Sequence, residues 1–358
     1  MKFETDFRRI LKKIDEINPE AYAKTRNYAN GAVTQLSPYI SRGVVSTKMV
    51  VAHIYALKLP YHQTEKLIQE LTWRDYWQQV WKHKGDAINT DLLSPQSNVL
   101  HHEMPKSMIH AQTGIDAIDS AILALYQEGY MHNHMRMYVA SVACNIGKSH
   151  WHTPAKWMYY HLLDGDWASN ALSWQWVAGC NSKKKYYANQ ENINHFFYGT
   201  QSGTFLDESY ETLPNILCPE ILKETEVPQM TTQLPESHAP RIDNNYPTLL
   251  YNYYNMDPLW RKDEKANRIL LLEPSFFKKD PISQKCLDFL LALRINIPDI
   301  QVYTGEFSQF QKDTKARQCV FKEHPLNKHY VGIEEPRDWI FDVGGYYPSF
   351  FSYWKHCK

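Results

Sequence analysis

The stretch Leu162-Leu163-Asp164-Gly165-Asp166-Trp167-Ala168-Ser169-Asn170-Ala171-Leu172-Ser173-Trp174-Gln175-Trp176 constrains this chain more than any other. As a helix it puts Asp166, Asn170 and Trp174 four residues apart on one face. A carboxylate, an amide and an oxidisable indole then line one wall, and Trp176 points to a different side. Such a wall suits a flat, redox-active ring with the indole as electron donor. The same spacing also describes an amphipathic helix whose tryptophans are core.

Composition supplies material for either reading. The chain has 358 residues, of which 11 are Trp and 24 Tyr. That length allows two domains, or one large helical domain with an appendage. The aromatic density fits a pocket built to stack rings as well as it fits an ordinary core. Lys plus Arg and Asp plus Glu number 39 each, so bulk charge gives no support for nucleic-acid binding, although a local basic groove is compatible with it. The six cysteines, Cys144, Cys180, Cys218, Cys286, Cys319 and Cys357, form no CxxC pair and read as buried thiols in a reducing compartment, with no metal site. The first residues lack the apolar segment of a signal peptide, and no apolar run is long enough for a membrane span. The expected location is the cytoplasm.

Residues 1–215 read as mainly helical, with candidates at 42–58, 62–83, 114–129, 130–147, 154–163 and 166–179. Asn18-Pro19, Ser37-Pro38 and Thr153-Pro154 are helix starts. Residues 84–112 read as a long loop and 181–215 as polar with little periodicity. Residues 216–250 carry repeated prolines among charges and read as a linker or wrapping segment. Residues 251–358 change character: Arg268–Glu273 is a strand, Pro281–Leu293 a helix and Ile300–Tyr303 a second strand, one βαβ-like unit. Cys319–Phe321 is a short apolar run that could be a further strand. A Rossmann fingerprint is missing, so no cofactor is assigned to this unit.

Three further segments carry polar or aromatic residues in helical register. Asn30 to Tyr39 holds Thr34, Leu36 and Ser37 before a Ser-Pro helix start, where amides and hydroxyls can grip phosphate or simply cap a helix. In Glu70-Leu71-Thr72-Trp73-Arg74-Asp75-Tyr76-Trp77, Glu70, Trp73, Arg74, Trp77 and Trp81 form one stripe. A tryptophan stripe is often core, but Glu70 and Arg74 fit a core poorly unless paired. In Gly129 to Met137, Asn133, Arg136 and Met137 share a face.

These four ordered segments, over roughly residues 20–180, resemble the flavin-binding core of the photolyase and cryptochrome family. The resemblance implies a mainly α fold: an all-helical FAD-binding domain, placed at 1–215, plus the small α/β unit, without the usual N-terminal α/β antenna domain. It implies that Thr34, Leu36 and Ser37 match the phosphate-gripping turn, while Val33 and Gln35 depart from it. Tyr22 resembles a tyrosine near the flavin. Glu70 and Trp73 occupy the places of the residues that contact and stack on a pyrimidine dimer, and Arg74 that of an arginine close to the flavin. Asn133 corresponds to an asparagine reaching toward flavin and lesion, Arg136 to an arginine paired with the aspartate matched by Asp164, and Met137 to the residue typical of cyclobutane-dimer repair. His134 replaces a usual arginine.

By the same resemblance, Asp164 and Asp166 sit beside the flavin, Asn170 faces its N5, Trp174 is the proximal electron donor and Trp176 lies on the substrate side. Trp151 matches the middle donor. The surface tryptophan of the usual chain has no match, since the corresponding neighbourhood is Asn98; Trp77, Trp81 or Trp157 are candidates to replace it. After Gly179 the resemblance fades, and Lys183-Lys184-Lys185-Tyr186-Tyr187 stands where the family carries an Arg- and Asp-bearing segment.

The implied function is light-driven, FAD-dependent reversal of cyclobutane pyrimidine dimers, a lyase reaction by electron transfer, with damaged DNA, single-stranded included, as partner. The alternative is a cryptochrome-like blue-light photoreceptor signalling to a protein partner through flavin photoreduction. A scaffold with a vestigial pocket is a third reading, which would leave many polar residues in one cleft at a stability cost.

Overall fold

The computed structural model describes residues 3–357. The chain divides into two compact units that interleave in sequence: residues 1–17, 34–82 and 230–358 form one, and 18–33 with 83–229 the other. This differs from the expected partition at 215 and 250. The helices Phe7–Asp15, Thr47–Ala56 and Tyr61–Lys84, expected in a helical N-terminal domain, belong to the same unit as the sheet, the last of them through Lys82.

The sheet unit is larger than one βαβ element. Its five strands are β1 Thr248–Tyr251, β2 Asn267–Leu272, β3 Gln301–Thr304, β4 Cys319–Lys322 and β5 Ile333–Glu335, in the order β3-β2-β1-β4-β5. All neighbours are parallel. From sequence alone, the central strand β1, all but Tyr251, falls in the 216–250 linker. It is buried at every position, with Leu249, Leu250 and Tyr251 at 1% exposure or less. A strand covered on both faces shows no polar–apolar alternation, and Pro247 just before it is permitted at a strand start.

The strand order is that of a doubly wound sheet, whose ligand crevice opens where the order reverses, here between β1 and β4. This chain fills that position from within. Arg42 lies 3.3 Å from the Tyr253 ring centroid. His324 stacks on Tyr254 at 4.5 Å, and Trp81 meets His324 edge-on at 4.9 Å. Asn252 donates to the Asn327 side chain at 2.9 Å.

The second unit is helical: Pro19–Thr25, Asp116–Glu128, Asn133–Ser141 running into a π turn at Val142–Ile146, His152–His161, Trp167–Ala178 and Gln190–Phe197. Most were legible from apolar periodicity. Gln190–Phe197 was not; it lies in the polar segment, and its start is set by the Asn189 side chain, which accepts the Asn192 N–H at 2.9 Å. Gly129 and Gly179, with φ of 72° and 84°, close the helices before them in the left-handed conformation. Trp151, Trp157, Met158, Tyr159, Leu172 and Trp174 fill the core of this unit. Among the described residues no helix is long and apolar enough to cross a membrane.

Candidate functional site

In the helical unit, the Leu162–Trp176 segment folds as a tight turn followed by a capped helix. Asp166 is the N-cap of Trp167–Ala178, and its carboxylate accepts the Ser169 N–H at 2.7 Å. Gly165 is required between the two aspartates, because a Cβ there would sit 2.9 Å from the Leu162 carbonyl oxygen and 3.0 Å from that of Tyr159. Asp164 is clamped by Arg136, whose Nη2 donates to both carboxylate oxygens at 3.0 and 2.8 Å. The Arg136 Nε donates to the Met131 carbonyl at 2.9 Å, so the guanidinium is held on two sides. The Asp164 side chain is only 3% exposed, and a carboxylate that deep is tolerable because its counter-charge is fixed.

The next turn supplies the amide and the indole. Asn170 donates to the Ala155 carbonyl at 2.8 Å, which sets the plane of its amide. No described side chain or backbone group donates to its Oδ1. Trp174 is buried, whereas Trp176 on the same helix is 38% exposed. Ser169 contributes a buried hydroxyl with no protein partner. A fixed charge pair, a hydroxyl without a partner and an oriented amide, on or beside one helix carrying a buried indole, match the donors and acceptors of a flavin ring edge.

Trp151 opens the preceding helix, fully buried, with its indole N–H on Asp91 at 2.7 Å. Trp157 is equally buried and donates to the Tyr126 hydroxyl at 3.0 Å. Asn98 lies exposed in a left-handed turn. Asn133 also is exposed at the start of its helix, while Tyr22 and Met137 are half-buried. His134, in place of the usual arginine, meets the Asn27 carbonyl through Nδ1 at 3.0 Å and packs edge-on to Phe196. Burial lowers its pKa, so it tethers the 18–33 segment as a neutral ring rather than as a cation.

The sheet unit holds the remaining candidates. Gln35 takes a left-handed φ of 52°, and Thr34 Oγ1 accepts the Leu36 N–H at 3.4 Å, shaping a turn in which Leu36 is buried and Ser37 begins a short helix. On the helix Tyr61–Lys84, Glu70 pairs with Lys66 at 2.8 Å, and Arg74 donates through Nη1 to the Ser41 hydroxyl at 3.1 Å. Asp75 is buried; it accepts from Thr47 Oγ1 at 2.8 Å and from the Ile340 N–H at 2.9 Å, and burial pushes its carboxyl up to about 6.

Trp73 already has a ring stacked on it. The Phe350 phenyl lies parallel at 3.8 Å between centroids, inclined by 11°. Phe350 opens the helix Phe350–Cys357, which adds Phe351 edge-on to Trp73 and Tyr353 against Tyr76. Neither this helix nor Asp91 was legible as part of a site. Phe350 lies far along the chain from Trp73, and Asp91 lies in a loop sixty residues before its partner Trp151, with no periodic signal.

The donor set of the helical unit fits a flavin. Residues 67–255 match the FAD binding domain of DNA photolyase, more than half of the chain and well past Gly179, where the visible resemblance fades. The chain belongs to the DNA photolyase family, and FAD is its cofactor. It is 34% identical over 155 residues to a deoxyribodipyrimidine photo-lyase of Streptomyces griseus, covering 42% of this chain and 33% of that protein. It is 28% identical over 271 residues to a cryptochrome DASH of Synechocystis, covering 69% of this chain and 52% of the relative. The crystal structure of a Synechocystis cryptochrome shares the fold, with a TM-score of 0.51 at 24% identity over 62% of this chain and 49% of that one. The chain thus spans about a third to a half of the length of these relatives.

Proposed function

We propose that the protein reverses cyclobutane pyrimidine dimers in DNA by light-driven electron transfer from FAD. The observation that carries this reading is the helical wall of Asp164 clamped by Arg136, the oriented Asn170 amide and the buried Trp174, within a photolyase FAD domain. Bound and reduced, FAD supplies a photoexcited one-electron donor. The Arg136–Asp164 pair fixes charge beside the ring and Asn170 presents an amide toward its N5. By the family resemblance, Thr34, Leu36 and Ser37 match the phosphate-gripping turn, and Tyr22 and Arg74 match residues close to the flavin. Trp174 is the nearest oxidisable indole, with Trp151 behind it. Asp166 holds the first turn of the Trp174 helix in place. Glu70 offers a partly exposed carboxylate to the dimer, and the half-exposed Trp176 offers a stacking face. A damaged pair costs less to flip out than a sound one, which favours the lesion over intact DNA. The α/β unit, whose crevice is filled by its own side chains, has no assigned chromophore.

The second reading is a blue-light photoreceptor, and the Phe350–Trp73 stack favours it. An aromatic ring of the protein's own stacks on the indole that, by the family resemblance, would stack on the lesion, so a light-dependent change in that contact would be the signal to a protein partner. The deciding experiment is blue-light repair of a thymine-dimer oligonucleotide, single- and double-stranded, by chemically reduced protein. Loss of dimers supports repair; flavin photoreduction without loss of dimers on either substrate rejects it and leaves the photoreceptor.

A further inference from the structure

We propose that Asp91 is the proton acceptor for Trp151, and that this proton transfer holds an oxidising equivalent on Trp151 inside the protein. The inference rests on the flavin reading above. The Trp151 indole is fully buried, and its Nε1–H donates to Asp91 Oδ1 at 2.7 Å. The same oxygen meets His150 Nε2 at 3.1 Å, while Oδ2 accepts the Gln96 N–H at 2.8 Å. Gln96 in turn accepts the Trp151 backbone N–H at 2.9 Å and donates to the Ser149 carbonyl at 2.8 Å. The carboxylate is therefore held against the indole by a closed set of bonds that includes the tryptophan's own backbone.

The groups around Asp91 keep it charged and available. Burial works against the charge, but the Gln96, Trp151 and His150 bonds outweigh it, and the carboxyl pKa lies below its ordinary value. The neighbouring Cys180 thiol is pushed up to about 12, by burial first and the carboxylate second, so it stays protonated. Burial also lowers His150, on which His102 stacks at 4.8 Å.

The chemistry follows from the geometry. A neutral indole N–H is a very weak acid, and losing an electron brings its acidity into the range of a carboxylic acid. A bound, photoexcited flavin would supply the oxidant, and Trp174 would give up one electron to it. Trp174 is refilled by one electron from Trp151. Trp151 then loses its Nε1 proton to Asp91, leaving a neutral indolyl radical and a carboxylic acid. The balance closes across the three residues: the electron leaves the pair to refill Trp174, the proton moves from the indole to the carboxylate, and the Trp151–Asp91 pair goes from one negative charge to none. Return of the electron now requires return of the proton, which slows recombination. The exposed Asn98 stands where the family resemblance places a surface tryptophan, and a base on the middle indole would hold the oxidising equivalent without relying on that position.

Asp91→Asn tests this, because an amide can still accept the indole bond but cannot take the proton. The first readout needs no flavin: the Trp151 indole N–H resonance in protein carrying 15N-labelled tryptophan, assigned by its loss in Trp151→Phe. It should lie downfield and exchange slowly in the parent, move upfield in Asp91→Asn, and move further and exchange faster in Asp91→Ala. The second is transient absorption of the flavin-loaded protein after a blue flash. The parent should form a deprotonated tryptophan radical at a rate at least about twofold slower in D2O than in H2O. Asp91→Asn should keep the protonated radical and lose severalfold in lasting photoreduction. An indole resonance unmoved by Asp91→Ala, or a deprotonated radical at parental rate in Asp91→Asn, overturns the proposal. The parent's own isotope effect decides the matter if the variants do not fold. Absence of any bound flavin removes the flavin reading and with it the oxidant; flavin bound beside a Trp151 radical that stays protonated overturns this proposal alone.

Discussion

Replacing Phe350 by alanine removes the ring that lies on Trp73. The phenyl is 2% exposed, so its truncation costs about 3–5 kcal/mol, of which the stack itself accounts for ~0.5–1.5 kcal/mol. The helix Phe350–Cys357 is too short to persist alone and is anchored by Phe350, Tyr353 and Trp354, all buried. Loss of one anchor should therefore appear first as local release. Amide exchange at 350–357 should rise sharply, and Trp73 should become accessible to a fluorescence quencher, while the Trp167–Ala178 helix keeps its protection. Under the repair reading the freed indole face becomes available to a flipped base, and affinity for a dimer-containing single strand should rise about 2- to 12-fold, the stacking energy converted to a binding ratio. Phe351→Ala is the control, since Phe351 is 61% exposed and its loss should change stability by under about 0.5 kcal/mol. Parental exchange in the 350–357 helix of Phe350→Ala would refute the anchoring argument. Released helix with unchanged lesion affinity would refute Trp73 as a lesion-stacking residue.

Glu70→Ala should lower repair about tenfold or more while the flavin spectrum stays parental, since a charge-assisted bond to the dimer is worth ~1.5–3 kcal/mol; repair kinetics on a dimer oligonucleotide check it. Arg136→Ala leaves the Asp164 carboxylate buried without its counter-charge and should cost about 3–5 kcal/mol in chemical denaturation. Asp75 has its folded-state pKa raised to about 6, so its protonated form favours the fold; that contribution is complete below about pH 4 and is lost as pH rises through about 6. Asp75→Asn should flatten this component, and the gap in urea midpoint between about pH 4.5 and pH 7.5 should narrow relative to the parent.

The helix Tyr61–Lys84 was legible as a long run free of Gly and Pro between Pro60 and Gly85, and Trp167–Ala178 because Asp166 and Gly179 mark its ends. The pairing of Arg136 with Asp164 was also legible, through the family resemblance. What escaped is instructive. Strand β1 has neither length nor alternation, and only the strands on either side of it in the sheet make it a strand. The division into units escaped because Thr47–Ala56 and Tyr61–Lys84 look like any other helices, and nothing local says that they belong with the sheet. Asn133 shares its helical face with Arg136 in the sequence, yet it lies exposed at the helix start, where register says little about direction. Asp91 and Phe350 act on tryptophans remote in the chain, and single-sequence periodicity carries no information at that range.

The most direct test of the account is photoreduction of bound FAD under blue light with an external reductant, comparing the parent with Trp174→Phe. Trp174 is the buried indole on the helix that carries Asn170, and under the proposed reading its loss removes the proximal electron donor. The account predicts rapid photoreduction in the parent and a sharp slowing in Trp174→Phe, with flavin content and repair from chemically reduced protein little changed. Photoreduction of Trp174→Phe at the parental rate would contradict the assigned wall and the electron path built on it.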